Sequence, residues 1–226
     1  MSGREITIQG PDGDFMAYSD GEGPAIIVIQ EIFGVNAVMR DLCGWLAGEG
    51  YTAICPDLFW RIEPNIQLTD KTEEEWARAF ELYQAFDPDA GVKDIAATIA
   101  HARREGAAKV GAVGYCLGGF LAYLTAARTD ADASVGYYGV GIQRALDESN
   151  TITKPLLLHI AGQDEFVPPE AQAEIHAALD RHGHVTLHDY AGRDHAFARR
   201  GGAHYHDADA QTANARTLAF FKEHLA

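Results

Sequence analysis

What this chain lacks narrows its function before any motif is read. Its 226 residues hold three cysteines, Cys43, Cys55 and Cys116. The odd count and the absence of C-x-x-C or metal-ligand spacing exclude a disulfide framework or a zinc ribbon. No apolar run approaches the roughly 18 residues of a membrane span, and the opening Met1-Ser2-Gly3-Arg4-Glu5 has no apolar signal core. A reducing, cytoplasmic setting away from membranes is therefore expected. Positive charge is scarce: 18 Lys and Arg against 33 Asp and Glu give a formal net charge of −15. Nucleic acid and anionic lipid both recruit basic surfaces, so neither is an expected partner. There is no P-loop and no G-x-G-x-x-G fingerprint, so no cofactor is implied. The pairs His182/His184 and His204/His206 find no carboxylate or cysteine arrangement to complete a metal site, and read as surface histidines.

What is present is a hydrophobic fraction of 47%, enough for a substantial core. Glu5 to Gln9 alternates, Gly10-Pro11-Asp12-Gly13 turns, and Phe15 to Tyr18 resumes, which predicts an antiparallel hairpin. The continuous apolar run Pro24 to Ile29 predicts a strand covered on both faces. It is followed by a helix from about Ala37 to Glu49. Further strands are expected at Tyr51 to Cys55, Lys109 to Val113, Ala133 to Tyr138, Pro155 to Ile160 and His184 to Tyr190. Helices are expected over Thr69 to Phe86, from there to Arg104, over Phe120 to Arg128, Pro168 to Arg181 and Asp209 to His224. Strands alternating with helices predict an α/β fold: one domain over 1–226, with a mainly parallel central sheet of about 8 strands and helices on both faces.

The chemistry concentrates at Gly114-Tyr115-Cys116-Leu117-Gly118-Gly119. A buried strand enters it and a helix leaves it, which is the geometry of a nucleophile elbow with cysteine in place of the usual serine. Flanking glycines are required where the chain doubles back and the helix meets the sheet. The following amide, that of Leu117, sits near a helix N-terminus that favours negative charge. On these six residues alone, a nucleophile and a buried bystander cysteine are equally good readings.

The remainder of the chain separates them. In α/β-hydrolase folds the order is nucleophile, acid, histidine, each beyond the end of a strand. Asp164 lies in Gly162 to Pro168, just past the strand ending at Ile160. His195 lies in Ala191 to Phe197, just past the strand ending at Tyr190. Asp164 would orient one imidazole nitrogen so that the other faces the Cys116 sulfur. Asp194, adjacent to His195, is the competing acid and the poorer one, because neighbours in a tight loop rarely orient each other.

With these residues in place, the chain resembles the dienelactone hydrolase family (carboxymethylenebutenolidase) of the α/β-hydrolase fold. The matching stretches are Gln30 to Gly34, Gly114 to Gly119, Val135 to Gly139, Gly162 to Asp164 with Phe166, and Gly192 to Arg199. The resemblance implies lactone hydrolysis through an acyl-thiol on Cys116, with Asp164 and His195 completing the triad. It gives Glu31 a role in keeping the resting thiol from being a free thiolate, which would oxidise readily. The backbone N–H groups of Ile32 and Leu117 would form the oxyanion hole. Arg199 would hold a substrate carboxylate, and Phe33, Trp76, Tyr83, Tyr138 and Phe166 would contact substrate. The chain departs from the family at Trp76, where a second arginine belongs, and at Phe80, where the family has tyrosine. The helix placing Trp76, Tyr83 and Phe86 could equally use them for packing.

The expected partner is a small-molecule lactone or ester substrate, and the protein is expected to be a monomer. The alternatives are a related esterase for a neutral or larger substrate, a ligand-binding sensor on a hydrolase scaffold, and a thiol redox protein. The last would require Cys43 or Cys55 to lie near Cys116.

Overall fold

A computed structural model of the protein describes residues 3–226. Its strands are β1 (Arg4–Gly10), β2 (Gly13–Asp20), β3 (Ala25–Ile29), β4 (Thr52–Pro56), β5 (Val110–Tyr115), β6 (Ala133–Tyr137), β7 (Leu156–Ala161) and β8 (Val185–Tyr190). Its helices are α1 (Ala37–Gly48), α2 (Glu73–Ala85), α3 (Pro88–Arg104), α4 (Leu117–Arg128), α5 (Pro169–Leu179) and α6 (Asp207–Leu225), with a 3₁₀ segment at Ile142–Thr151. The eight strands run in the order β1-β2-β4-β3-β5-β6-β7-β8. β1 with β2 and β2 with β4 pair antiparallel, while β3 with β4 and β5 through β8 pair parallel. The expected mainly parallel α/β sheet is what forms. The chain divides into two compact units between Val110 and Gly111.

In the first unit, Gly10 pairs with Gly13 across the Pro11-Asp12 turn, closing the predicted hairpin. β1 alternates exposed and covered residues, whereas every residue of β3 is buried. The difference is that between a half-solvated antiparallel strand and an enclosed parallel one. α1 packs on β2, β3 and β4, and α3 packs on β1, β3 and β4. Thr72 caps α2: its hydroxyl accepts the Glu75 N–H at 3.2 Å, and the Glu75 carboxylate reaches back to the Thr72 hydroxyl at 3.4 Å. That is the predicted pairing of Thr72 with Glu75, although the helix starts at Glu73 and not at Thr69.

In the second unit β5, β6 and β7 are buried throughout, and α4 and α6 both pack on β6 and β7. α5 packs on β8 and on the 3₁₀ segment. That segment was not expected from the sequence. Its residues Ile142 to Thr151 hold only Ile142, Ala145 and Leu146 as apolar residues among polar ones, and a break at Ala145 (φ −129°) interrupts the helical backbone.

Candidate active site

The turn from β5 into α4 bends the backbone at Cys116, which has φ 57° and ψ −115°. A non-glycine residue held there is strained, and such strain persists only where surrounding contacts fix it. Here the Cys116 N–H donates to the Tyr137 carbonyl at 3.1 Å, and the Cys116 carbonyl accepts from the Gly119 N–H at 3.0 Å. The glycines of the motif are there for room. A Cβ on Gly114 would stand 1.9 Å from the Gly118 carbonyl oxygen, and one on Gly119 would stand 2.4 Å from that of Tyr137. No relaxation absorbs such overlaps while the helix stays seated on the sheet. The geometry presents Cys116 at the head of α4, with Leu117 as the first helical residue.

The loop after β7 carries Asp164, which is 3% exposed. One carboxylate oxygen accepts the Phe166 N–H at 2.9 Å and the other lies 2.7 Å from His195 Nδ1. This loop is tied to the one after β8 by two backbone bonds: Gly162 N–H to Tyr190 O at 3.0 Å and Gln163 N–H to Arg193 O at 2.8 Å. Those bonds keep Asp164 and His195 in register although 31 positions separate them. Asp194 turns away, its carboxylate lying 3.3 Å from His204 Nδ1.

The His195 imidazole also interacts with the Cys116 side chain. Burial alone would lower its pKa. Electrostatic interaction with Cys116 and the hydrogen bond to Asp164 outweigh that, and His195 is raised to about 10. Two aromatic rings meet its edges: Tyr138 with a centroid at 5.1 Å and Phe166 at 4.9 Å. Tyr138 has φ 37° and Ala196, directly after His195, has φ 62°. Three of the four positive-φ non-glycine residues among those described, Cys116, Tyr138 and Ala196, therefore cluster at this point. Arg199 is buried four positions beyond His195, and its N–H donates to the Ala196 carbonyl at 2.9 Å.

The other candidates lie in the first unit. Glu31, Ile32 and Phe33 are buried in the segment after β3. Gly34 follows at φ 76°, where a Cβ would meet the Ile66 carbonyl oxygen at 2.1 Å. Gln30 anchors this segment by accepting the Leu58 N–H at 2.9 Å, and Asn36 does so by donating to the Leu68 carbonyl at 2.8 Å. Trp76 meets the edge of Phe33 with centroids 4.9 Å apart and stacks on Phe80 at 5.6 Å. It thus packs against the residue that follows Ile32. Tyr83 is half-buried on α2. Arg78 is held on the outside by Glu63 and by Glu81 at 2.7 Å. Among the described residues no three His, Cys, Asp or Glu side chains converge on a metal-sized point. His206 instead caps α6, and its Nδ1 lies 3.0 Å from the Asp209 carboxylate.

The sheet, the cysteine elbow and the acid and histidine loops define an α/β hydrolase. More narrowly, the chain belongs to the dienelactone hydrolase family, whose model matches residues 14–225. It is 51% identical over 224 residues to an Azospirillum brasilense protein provisionally named carboxymethylenebutenolidase, covering 96% of each. It is 41% identical over 222 residues to a carboxymethylenebutenolidase of Pseudomonas putida, covering 95% of this chain and 94% of that one. The crystal structure of a provisionally named dienelactone hydrolase from Klebsiella pneumoniae subsp. pneumoniae superposes with a TM-score of 0.86 at 29% identity, covering 98% of both chains. The chain is a dienelactone hydrolase-like hydrolase, and no helix among the described residues is long and apolar enough to cross a membrane.

Proposed function

We propose that the protein hydrolyses lactone or ester bonds through a covalent acyl-thiol on Cys116, with His195 as proton carrier and Asp164 as its orienting acid. The observation that carries this reading is the shared imidazole: one nitrogen lies 2.7 Å from Asp164, and Cys116 and Asp164 both act on the ring to raise its pKa. An imidazole oriented by Asp164 beside the elbow is placed to take the thiol proton of Cys116, which turns the sulfur into the nucleophile. The thiolate adds to the acyl carbon, and the imidazolium then gives its proton to the departing oxygen. Neutral imidazole next takes a proton from water, whose oxygen displaces the sulfur and restores the resting pair.

The reading assigns the oxyanion to the backbone N–H groups of Leu117 and Ile32. Glu31 moderates the charge on the resting thiol, and Arg199 receives a substrate carboxylate. Phe33, Tyr138, Phe166, Trp76 and Tyr83 meet the remainder of the substrate. Trp76, stacked on Phe80, brings no cation, so one arginine is left to hold a carboxylate, and a neutral or larger ester is the second reading. A cytoplasmic monomer acting on a small molecule completes the assignment.

The test is steady-state hydrolysis of a dienelactone and of a neutral aryl ester by the wild type and by Cys116→Ala. Cys116-dependent turnover of the dienelactone supports the first reading, and turnover of the aryl ester alone supports the second. Near-native activity of Cys116→Ala with either overturns the nucleophile assignment.

A further inference from the structure

Beneath the triad lies a buried polar chain that takes no part in the reaction just described. His159 on β7 is 0% exposed in the middle of an otherwise apolar strand. Its Nδ1 lies 3.0 Å from the Tyr190 hydroxyl and its Nε2 lies 3.0 Å from the Thr217 hydroxyl. Thr217 in turn lies 2.6 Å from the Tyr137 hydroxyl, which donates to Asn214 Oδ1 at 3.0 Å. At the other end Arg216 donates to the Tyr190 hydroxyl at 3.1 Å.

Donor counting fixes the direction of this chain. Arginine can only donate, and each hydroxyl has one hydrogen. Tyr137 spends its hydrogen on Asn214, so the Thr217 hydrogen goes to Tyr137, and Thr217 must accept from His159 Nε2–H. Nδ1 is then the acceptor, and it takes the Tyr190 hydrogen. The run is therefore continuous: Arg216 to Tyr190 to His159 to Thr217 to Tyr137 to Asn214. With the Tyr137 hydrogen on Asn214 Oδ1, the neutral Nε2–H tautomer of His159 is the form that fits. Burial, with His188 and Arg216 nearby, keeps this imidazole well below its usual pKa and so neutral.

The same three strand residues hold the triad through their backbones. The Tyr137 carbonyl accepts the Cys116 N–H at 3.1 Å, and the His159 carbonyl accepts the Tyr138 N–H at 2.8 Å. The Tyr190 carbonyl accepts the N–H of Gly162 at 3.0 Å and of Arg193 at 2.9 Å, where the acid and histidine loops begin. Tyr137, His159 and His188 are also cross-strand neighbours in register, and Tyr115 pairs with Tyr137. Their rings form a row with successive centroids 4.6, 4.3 and 6.0 Å apart.

We propose that His159 is a positioning residue for hydrolysis: through Tyr190 and Thr217 it locks β6, β7 and β8 at the points where the Cys116, Asp164 and His195 segments are anchored. This rests on the triad reading given above. Removing one oxygen of the chain loosens the registration of sulfur, carboxylate and imidazole without touching any of them. Small misplacements of reacting groups carry large rate penalties, so the effect appears in kcat while KM stays.

The experiment compares Thr217→Val, Tyr190→Phe, their double variant and Thr217→Ser in the full chain. It reads kcat, KM, melting temperature and the rate of Cys116 alkylation by iodoacetamide. Each single variant should lower kcat roughly five- to twentyfold with KM within about twofold, and should slow alkylation. The double variant should be no slower than the slower single one, because one break already opens the chain. Thr217→Ser keeps the hydroxyl while leaving a small void, so it should recover kcat despite a lower melting temperature. The proposal is overturned if kcat stays at the wild-type value while only the melting temperature falls, or if Thr217→Ser is as slow as Thr217→Val. Should Thr217→Val fail to fold, Tyr190→Phe carries the same test by removing only the hydroxyl. Failure of the triad reading shows separately, as turnover retained by Cys116→Ala.

Discussion

Two buried aspartates, one in each unit, show what separates a structural carboxylate from one suited to chemistry. Asp94 on α3 is fully buried and is gripped by Arg61, with one carboxylate oxygen 3.0 Å from the guanidinium, and by the Trp60 indole N–H at 2.9 Å. Arg61 also reaches Asp12 in the β1–β2 turn at 2.7 Å and lies over the Trp60 ring, 4.4 Å from its centroid. Asp164 is equally buried, but its partners are one backbone N–H and an imidazole. The guanidinium never gives up its charge, so the Asp94 cluster has a single state and serves as a clamp between the loop after β4 and α3. The imidazole can both hold and release a proton, so the Asp164 cluster has two states and can pass a proton. The difference lies in the partner, not in the depth of burial.

The comparison can be sharpened at several points, of decreasing size. Asp164→Asn should lower kcat by about 10³- to 10⁴-fold, because the amide leaves the imidazole without a charged orienting group. Its melting temperature should stay close to the wild type, and steady-state kinetics beside a thermal scan check both.

Arg61→Met should do the reverse. Leaving Asp94 buried without its cation should cost about 2–4 kcal/mol of stability, reduced from a fully buried pair because Arg61 is partly exposed. The kcat per folded molecule should stay within twofold, as denaturant titration and active-site counting would show. A large kcat loss in Arg61→Met would erase the distinction between the clusters.

The third prediction concerns protonation. In the wild type His195 should keep its proton until about pH 10, as followed by NMR titration of the imidazole. In Cys116→Ala the largest raising influence is gone while burial and the Asp164 hydrogen bond remain, so the pKa should fall. The stability consequence has a definite sign. A folded-state pKa raised above the ordinary value of 6.5 contributes stability fully below about 6.5 and loses it as the pH climbs toward about 10. Wild-type stability should therefore decline across that alkaline window more steeply than that of Cys116→Ala.

The smallest effect is expected for Trp60→Phe. It deletes one hydrogen bond to Asp94 and should cost about 1 kcal/mol with no change in turnover.

How much of this was legible in the sequence follows from the range of each interaction. The hairpin turn at Pro11-Asp12, the Thr72 cap and the elbow glycines act over a few positions, and their spacing shows them directly. The order Cys116, Asp164, His195 was readable because each residue follows an apolar run that had to be a strand. The clamp on Asp94 was not, since Arg61 stands 33 positions away in a loop that signals only irregularity. Nor was the His159 chain. His159 interrupts Leu156 to Ile160 as one polar residue, and its partners lie 31 and 58 positions further on. A buried histidine in a core strand signals that polar partners must exist, but not which ones. Trp76 was placed in the substrate region by resemblance alone. Its packing against Phe33 and Phe80 shows how an aromatic side chain fills that position without showing what it meets in turnover.

The most direct test of the central claim is to quench a reacting mixture with acid within the first turnovers and weigh the peptides by mass spectrometry. With an aryl ester whose acyl group is hydrolysed slowly, the peptide spanning Val110 to Arg128 should carry the mass of that acyl group on Cys116. Full turnover with no acyl mass on that peptide, or the same mass found on another residue, would contradict a thiol nucleophile at the elbow.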